Sequence, residues 1–415
     1  MLDITSYLHR QELTEILSRW MVDHPEPGDV RRLKTIVNFN VYGARLWIDR
    51  LVRDLITGLH GEAPASVVLR TKGQLKDFSA DHLPFTNPNI ERMVAHYRRF
   101  PEDYYRETPV DGVYYTLQRA GGEPWLAGLS RIKRFRRIAE KGSRRIVDFM
   151  LARIRTAAEE LASERAARLG IPAHLLVTGP EQMAAEFAHA ERRVIKSIKQ
   201  GTIREALPAL EIPDAVGMKL ILERDRLEEL LGLLEAHPAC TLTEVEEHTG
   251  AYAATNLHVS LELPFELLRA HPPTGRYLQV LVSRGFDPAA VPGEWARFLE
   301  ESEGRASFEI IVAGFEAYLE SEIGQTMHEA RILSQRASPD YHGPLATNVR
   351  YLVNYVFALC RAPRMEDYES LPIKLWSRYM PDTVGYLVRA LTVSEDLSFD
   401  AAPEVEAIGV AAGEP

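Results

Sequence analysis

The sequence predicts a mixed α/β protein whose sheet-containing core is flanked by helical regions on both sides. Within residues 181–335 the spacing of apolar residues changes repeatedly from about 3.6, as in a helix, to about 2, as in a strand. Apolar residues before residue 60 and after residue 345 keep helical spacing. The composition, with 46% hydrophobic and 26% charged residues, is that of an ordinary globular chain.

Residues 1–125 are predicted to be mostly helical. Apolar residues repeat at helical spacing between Leu13 and Trp20, and the sequence Pro-Glu-Pro-Gly-Asp that follows ends this helix. A second amphipathic helix is predicted from Val30 to Gly58. Short strands are predicted at residues 67–69 and 113–115, where apolar residues lie between turn-forming ones.

Residues 126–180 are predicted to form a connector with a long basic helix from Leu129 to about Gly170, or two helices that meet near Gly142 and Ser143. From residue 131 to 145 there are eight Lys or Arg and one acid. The chain as a whole has a formal net charge of −10. A basic patch in an acidic protein favours a defined anionic partner, such as a nucleotide or an RNA end, over a coating on duplex nucleic acid. Phe135 lies on the apolar side of this helix and is assigned to the core.

Residues 181–335 are predicted to form the α/β core, in which residues 264–306 are an insertion with short helices of its own. The predicted elements are a helix at 181–200, a strand at 215–223, a helix at 224–236, strands at 241–247, 256–263 and 307–313, and a helix at 315–334. Residues 336–393 are predicted to be helical again, and residues 394–415 are predicted to form a flexible acidic tail.

The chain is expected to be cytoplasmic. No apolar run approaches the length of a membrane span, and the N-terminus lacks the basic-then-apolar pattern of a signal peptide. Cys240 and Cys360 are the only cysteines, and two isolated thiols in a long chain are typical of a reducing compartment. The sequence leaves open whether the helical flanks only cover the sheet or assemble the chain into a homo-oligomer.

Two acidic residues on predicted strands are the main candidates for chemistry. Asp214 opens the segment Asp-Ala-Val-Gly-Met-Lys, which ends at Lys219, and Glu309 lies in a Phe-Glu-Ile sequence further on. A magnesium–nucleotide site needs carboxylate oxygens for the metal and cations for the remaining phosphate charge, and this pattern offers both. The alternatives are a turn role for Asp214 after Pro213 and a rim position for Glu309 on its strand.

Further segments accompany this pair in the same order as in a known family. A basic helix with a Ser-Ile sequence is predicted at 192–199, Leu-His is found at 257–258, and Phe-Glu-Ile-Ile is found at 308–311. Together with the Asp-x-x-Gly-x-Lys segment at 214–219, they resemble the synthetase domain of RelA/SpoT-type proteins, a branch of the nucleotidyltransferase fold. The resemblance covers residues 190–335, and the flanks match no family in this way.

The resemblance implies an activity and a set of roles. Such proteins move the pyrophosphate of ATP onto the ribose 3′-hydroxyl of a guanine nucleotide or, in some relatives, onto an RNA end. By resemblance, Asp214 and Glu309 hold Mg²⁺, and Tyr252 or His258 lies near the acceptor. Glu322 falls where the family's following helix carries an Ala-Glu sequence, and we assign it to the support of that helix. The cations implied to contact the phosphates are Arg193, Lys196, Lys199 and Lys219.

The sequence also departs from the family pattern. Lys219 replaces an arginine and so loses the planar fork that binds two phosphate oxygens at once. The polar half of the family's last strand, Gln-Ile-Arg-Thr, is Ile-Val-Ala-Gly at 311–314. The Gly-Tyr-x-Ser-Leu-His element is stretched over residues 250–258. Where the family has a lysine-rich loop, this chain has three glutamates, Glu244, Glu246 and Glu247.

Three hypotheses follow from these observations. The first is a magnesium-dependent enzyme that transfers pyrophosphate from ATP to a guanine nucleotide or an RNA acceptor. The second is a regulatory or scaffolding protein that keeps the fold and binds nucleotide or RNA without turnover, which the lost polar residues after Ile310 favour. The third is an RNA-binding protein that uses the basic segment 131–145, whose binding would weaken steeply with salt.

Overall fold

The computed structural model describes residues 2–110, 112–118, 122–203, 208–249, 253–325, 327 and 341–391. Residues 336–340 and 394–415 and the candidate Tyr252 lie outside these ranges. The strands are β1 (Leu2–Asp3), β2 (Ala65–Val68), β3 (Gly112–Gln118), β4 (Pro124–Ile132), β5 (Leu210–Glu211), β6 (Val216–Ile221), β7 (Cys240–His248), β8 (Ala254–Glu262) and β9 (Arg305–Ala313).

Helices lie before, between and after these strands in the chain. Those of the first half of the chain are α1 (Arg10–Met21), α2 (Asp29–His60), α3 (Lys72–Asp81), α4 (Pro88–Arg99), α5 (Phe135–Arg168) and α6 (Pro180–Lys199). Those of the second half are α7 (Leu227–Ala236), α8 (Phe265–Ala270), α9 (Gly275–Ser283), α10 (Val291–Glu300), α11 (Phe315–Ile323), α12 (Pro344–Leu359) and α13 (Pro381–Leu391). Among the described helices, none combines the length and apolarity needed to cross a membrane.

A mixed seven-stranded sheet forms the centre of the protein, which confirms the predicted mixed α/β class. Its strand order is β2-β3-β4-β6-β9-β8-β7, and only the β6–β9 pair is parallel. The strands predicted within residues 181–335 are present as β6 to β9. Three strands from earlier in the chain extend the sheet, so it is not confined to that segment. A short parallel pair, β1 with β5, lies outside it.

Helix α2 covers one face of the sheet. It contacts β4 and β6, and most of its residues are buried. The insertion 264–306 covers this helix from the other side, where Phe39 packs edge-on against Trp295 and Phe298 at centroid distances of 5.5 Å. Each such aromatic pair stabilises the fold by about 0.5–1.5 kcal/mol beyond the area it buries. The predicted short helices of the insertion are α8, α9 and α10.

Helix α5 is one continuous helix that begins at Phe135, after strand β4. The prediction of helix from residue 129 onward was therefore wrong for residues 129–132, which belong to the strand. The predicted break near Gly142 and Ser143 is absent because both residues lie inside the helix, buried. A Cβ at Gly142 would lie 2.7 Å from Leu2 Cδ1, so glycine here allows β1 to pack closely on the helix.

The first turn of α5 is anchored in the core. Phe135 is buried and its ring lies 6.4 Å from that of Phe357 on α12, which confirms its assignment to the core. Helix α5 packs against α12 and α6 along its length. The basic segment 131–145 therefore starts at the sheet and continues along a helix that is held on two sides.

Candidate functional site

The face of the sheet opposite α2 carries the polar residues of β8 and β9. Along β9, buried Phe308, Ile310 and Val312 alternate with half-buried residues, of which Glu309 is one. Along β8, half-buried His258 lies between buried Leu257 and Val259, and half-buried Asn256 lies two residues before it. Because successive side chains of a strand point to opposite faces, Glu309, Asn256 and His258 share the face away from the core.

Asp214 and Glu309 lie on neighbouring elements of this face. Asp214 lies two residues before the start of β6, and Gly217 of β6 is the parallel Cα partner of Glu309. Since Gly217 has no side chain, β6 places none beside Glu309 at this position. A Cβ at this position would lie 3.1 Å from the Glu309 carbonyl oxygen, closer than an ordinary contact. The fold thus brings together the two acids that the sequence singled out.

Two lysines from the β4–α5 junction bind Asp214. Lys133 Nζ lies 2.9 Å from Asp214 Oδ2 and also donates to the Asp214 main-chain carbonyl, and Lys141 Nζ contacts the same Oδ2. Burial alone would raise the pKa of Asp214, but Lys133 and Lys141 outweigh it and lower the pKa to about 2. Burial lowers the pKa of Lys133 to about 8, although Asp214 opposes that shift. At neutral pH the carboxylate is ionised and Lys133 is mostly protonated.

Glu309 is held by a different set of contacts. Asn256 Nδ2 donates to Glu309 Oε1 at 3.0 Å, and His258 is the antiparallel Cα partner of Glu309. Burial raises the pKa of Glu309, and the charge of Asp214 adds to this, whereas Lys133, His258 and Lys141 oppose it. The carboxyl groups of Glu309 and Asp214 therefore lie in each other's electrostatic field, with Lys133 and Lys141 common to both.

Lys219 is half-buried and interacts with side chains of α11. Its ammonium lies 5.6 Å from the centroid of the Tyr318 ring. Its charge helps to lower the pKa of Glu322, whose Oε2 lies 2.6 Å from Lys72 Nζ. Burial would raise the pKa of Glu322, but Lys72, Lys219 and Lys76 together lower it to about 2. Glu322 thus forms an internal ion pair, in keeping with its predicted supporting role.

The predicted phosphate-binding helix lies along α5. Arg193, Lys196 and Lys199 are exposed on α6, and α6 is joined to α5 by the ion pair of Arg165 with Glu186 at 2.9 Å. None of these three cations is among the charges that shift the pKa values of Asp214 and Glu309. The structure does not bring them to the acid pair.

The lysines at Asp214 were not identified as site residues from the sequence. The basic run containing Lys133 and Lys141 was visible, but it was interpreted as a contact for a separate anion, such as a nucleotide or an RNA end. Their position depends on the pairing of β4 with β6 and on the hydrogen bond from Lys133 N to Ala215 O, at 2.8 Å. No local pattern carries that information, because the pairing joins distant segments of the chain.

The acid pair fits a divalent cation that prefers oxygen ligands. Within the described part of the chain, no hydrogen bond reaches Asp214 Oδ1 or Glu309 Oε2. Magnesium usually takes one or two carboxylates and completes its coordination with water and phosphate oxygens. Asp214 and Glu309 therefore offer a suitable donor set from these two oxygens.

A scan against protein-family models found no match for this chain. Searches of the curated proteins and of the solved structures also found no match. The resemblance of residues 190–335 to RelA/SpoT-type synthetase domains stays a prediction.

Proposed function

We propose that the polar face of the sheet binds a magnesium–nucleotide complex and transfers pyrophosphate from ATP to a guanine nucleotide or an RNA end, on a nucleotidyltransferase-like core. The observation that carries this proposal is that Asp214, just before β6, and Glu309 of β9 lie in each other's electrostatic field, with Lys133 and Lys141 common to both. Transfer of a phosphoryl-type group depends chiefly on alignment and charge neutralisation, and these four side chains supply the charges for both.

Each side chain has a role that follows from its surroundings. Asp214 and Glu309 would hold Mg²⁺, which neutralises charge on the phosphate oxygens when it is bound. Lys133 and Lys141 would move from Asp214 to the phosphates, since a triphosphate and a metal replace the charges that each group now balances. By resemblance, His258 and Tyr252 would face the acceptor. His258 is next to Glu309 in the sheet, and Tyr252 lies outside the described residues.

Helix α6 and Lys219 take other roles in this proposal. Arg193, Lys196 and Lys199 stay candidates for contacts with a longer anion, because they are exposed on α6. Lys219 interacts with the ring of Tyr318 and with the charge of Glu322, both on α11, so its role is to hold α11 against the sheet.

One observation favours the second candidate, a nucleotide- or RNA-binding scaffold without turnover. Both Lys133 and Lys141 bind the same oxygen of Asp214. Two ammonium groups carry the charge of one divalent cation, so they satisfy the carboxylate without a metal. If they stay in place when a nucleotide binds, the face binds phosphates through lysine alone and Asp214 only positions the lysines.

The deciding experiment is isothermal titration calorimetry of the full chain with a non-hydrolysable ATP analogue, with and without Mg²⁺. The variants are Asp214→Asn and the control Asp225→Asn, an exposed aspartate in the segment after β6. Magnesium-dependent binding that Asp214→Asn weakens at least tenfold and Asp225→Asn leaves unchanged supports the metal–nucleotide site. Binding that ignores magnesium supports the scaffold. No binding under any condition contradicts the enzyme and leaves only a scaffold that does not bind nucleotide.

Turnover is tested separately from binding. The wild-type chain is incubated with ATP labelled in its terminal phosphates, Mg²⁺ and either guanine nucleotides or short RNA, and label transfer is followed. Transfer to one acceptor that Asp214→Asn and Glu309→Gln both abolish supports the enzyme. Nucleotide binding without transfer to any of these acceptors favours the scaffold.

A further inference from the structure

The outer strands of the sheet carry a second group of side chains suited to a metal. Glu244 and Glu246 of β7 and His258 of β8 each offer one donor atom, and these atoms all lie within 4.8 Å of one another. We propose that this group binds a transition-metal ion of the Zn²⁺ type, at a site distinct from the acid pair of Asp214 and Glu309. The inference does not rest on the proposed function.

A β-bulge creates the arrangement. Leu242 is the Cα partner of Val259 and Glu244 that of His258, so Thr243 is an extra residue in β7. Without it, Thr243 would be the residue opposite His258. The bulge therefore turns Glu244 and, two residues on, Glu246 toward the face that carries His258. Thr243 Oγ1 donates to the His258 carbonyl oxygen at 2.9 Å and holds the bulge against β8.

The two glutamates lack the basic partners that a neighbouring glutamate has. Across the described residues, neither Glu244 nor Glu246 forms an ion pair with Lys or Arg, whereas Glu247, which points to the other face, pairs with Arg224 at 3.1 Å. Two carboxylates on alternate residues of one strand repel each other. A cation bound between them would remove this repulsion.

Further donors lie on the same face of the outer strands. His248 Nε2 lies 3.8 Å from Glu246 Oε2 and supplies a second imidazole. Asn256, the Cα partner of Glu246, has a buried side-chain oxygen, Oδ1, for which the structure records no hydrogen-bond partner. A buried polar atom without a partner calls for an explanation, and a nearby cation is one that the adjoining carboxylates make reasonable.

The donor types indicate which metal fits. Imidazole nitrogen with carboxylate oxygen suits Zn²⁺ and similar first-row ions, whereas Mg²⁺ prefers oxygen alone. Because the ligands come from both β7 and β8, a bound ion would also link the edge strand β7 to β8. Because His258 is the Cα partner of both Glu244 and Glu309, strand β8 separates the two glutamates of β7 from Glu309 on β9.

The test uses the full chain, freed of metal by dialysis against a chelator, and titrates it with Zn²⁺ alone in a calorimeter. We expect the wild-type chain to bind one Zn²⁺ ion. In Glu244→Gln/Glu246→Gln and in His258→Ala, this binding should be lost or its affinity should fall at least tenfold. The matched control is Glu247→Gln, which removes a carboxylate from the same strand on the other face. Circular dichroism establishes that each variant is folded before its titration is used.

A spectroscopic readout identifies the ligands. Co²⁺ replaces Zn²⁺ in the same protein, and its visible absorption should change in His258→Ala and stay unchanged in Glu247→Gln. Absence of Zn²⁺ binding by the wild-type chain overturns the proposal, as does binding that the Glu244, Glu246 and His258 variants leave intact. Because no nucleotide is present, neither result depends on whether the chain binds ATP.

Discussion

Lys133 binds Asp214 twice, through the main-chain carbonyl and through carboxylate oxygen Oδ2, which lies 2.9 Å from its ammonium. The junction of β4 and α5 is thereby fixed to the start of β6. Lys141, from the second turn of α5, reaches the same oxygen. The contacts of Asp214 with these two lysines thus hold the start of β6 against the β4–α5 junction, and they also form the charged centre of the candidate site. Their contribution to stability can be measured apart from any activity.

The contacts of Asp214 with Lys133 and Lys141 should make the free energy of unfolding depend on pH in the acid range. The folded pKa of about 2 lies below the value of about 3.9 for a free aspartate. The resulting stabilisation is therefore complete above the unfolded pKa and is lost as the pH falls toward 2. It amounts to roughly 2 kcal/mol at neutral pH for a shift of this size. Urea unfolding of Asp214→Asn should show a loss of this order at pH 7 and a smaller one near pH 2.5.

The control for this prediction is Asp225→Asn, which removes an exposed carboxylate close in sequence. It should change the free energy of unfolding by less than about 0.5 kcal/mol at either pH. An equal loss for Asp214→Asn at pH 7 and at pH 2.5 would show that the lysines do not stabilise the ionised carboxylate.

The buried pair of Lys72 and Glu322 should be much more sensitive to substitution. Both side chains are less than a tenth exposed, and their charged atoms lie 2.6 Å apart. Glu322→Gln leaves Lys72 buried without its carboxylate, which typically costs about 3–5 kcal/mol. Urea unfolding at neutral pH measures this directly. The matched comparison is Glu262→Gln, which breaks the exposed pair with Arg305 and should cost about 1 kcal/mol or less. Similar losses for both variants would contradict the argument.

Two glycines on helices should respond in opposite ways. Gly142→Val places a side chain against Leu2, where even a Cβ would lie at 2.7 Å, and overpacking of this kind costs about 1–3 kcal/mol. Gly232→Ala in α7 meets nothing within 4 Å, so it should stabilise the protein by about 0.5–1 kcal/mol through helix propensity. Thermal and urea unfolding of the two variants check both signs. Stabilisation by Gly142→Val would show that β1 does not pack on α5 as described.

The sequence predicted the elements of the core better than it predicted the site. Strands β6, β8 and β9 have alternating or compact apolar patterns, which periodicity detects. Strand β4 was not predicted. It is buried on both faces from Leu126 to Ser130, so its sequence shows no alternation of apolar and polar residues. Asp214 and Glu309 were found because each opens or interrupts an apolar strand. Lys133 and Lys141 were not assigned to them, since only the β4–β6 pairing brings these lysines to Asp214.

The basic segment of α5 supplies the last prediction, which concerns RNA. Arg134 and Arg136 are exposed, and the described residues include no ion-pair partner for either. Arg137 is half-buried and paired with Glu140, so it is less available. If this segment binds RNA, each phosphate contact contributes to the salt dependence of affinity. Arg134→Ala/Arg136→Ala should then flatten the slope of log K against log salt by about 1–2 for a single-stranded probe, as measured by fluorescence anisotropy.

The matched control for the RNA prediction is Arg276→Ala/Arg297→Ala, which removes two exposed cations from α9 and α10 and preserves the same net charge change. A control slope equal to that of the wild type, together with a flatter slope for the α5 variant, assigns the contacts to α5. Equal flattening in both variants shows that the charge of the whole protein sets the affinity. An unchanged slope in the α5 variant removes this segment from RNA binding.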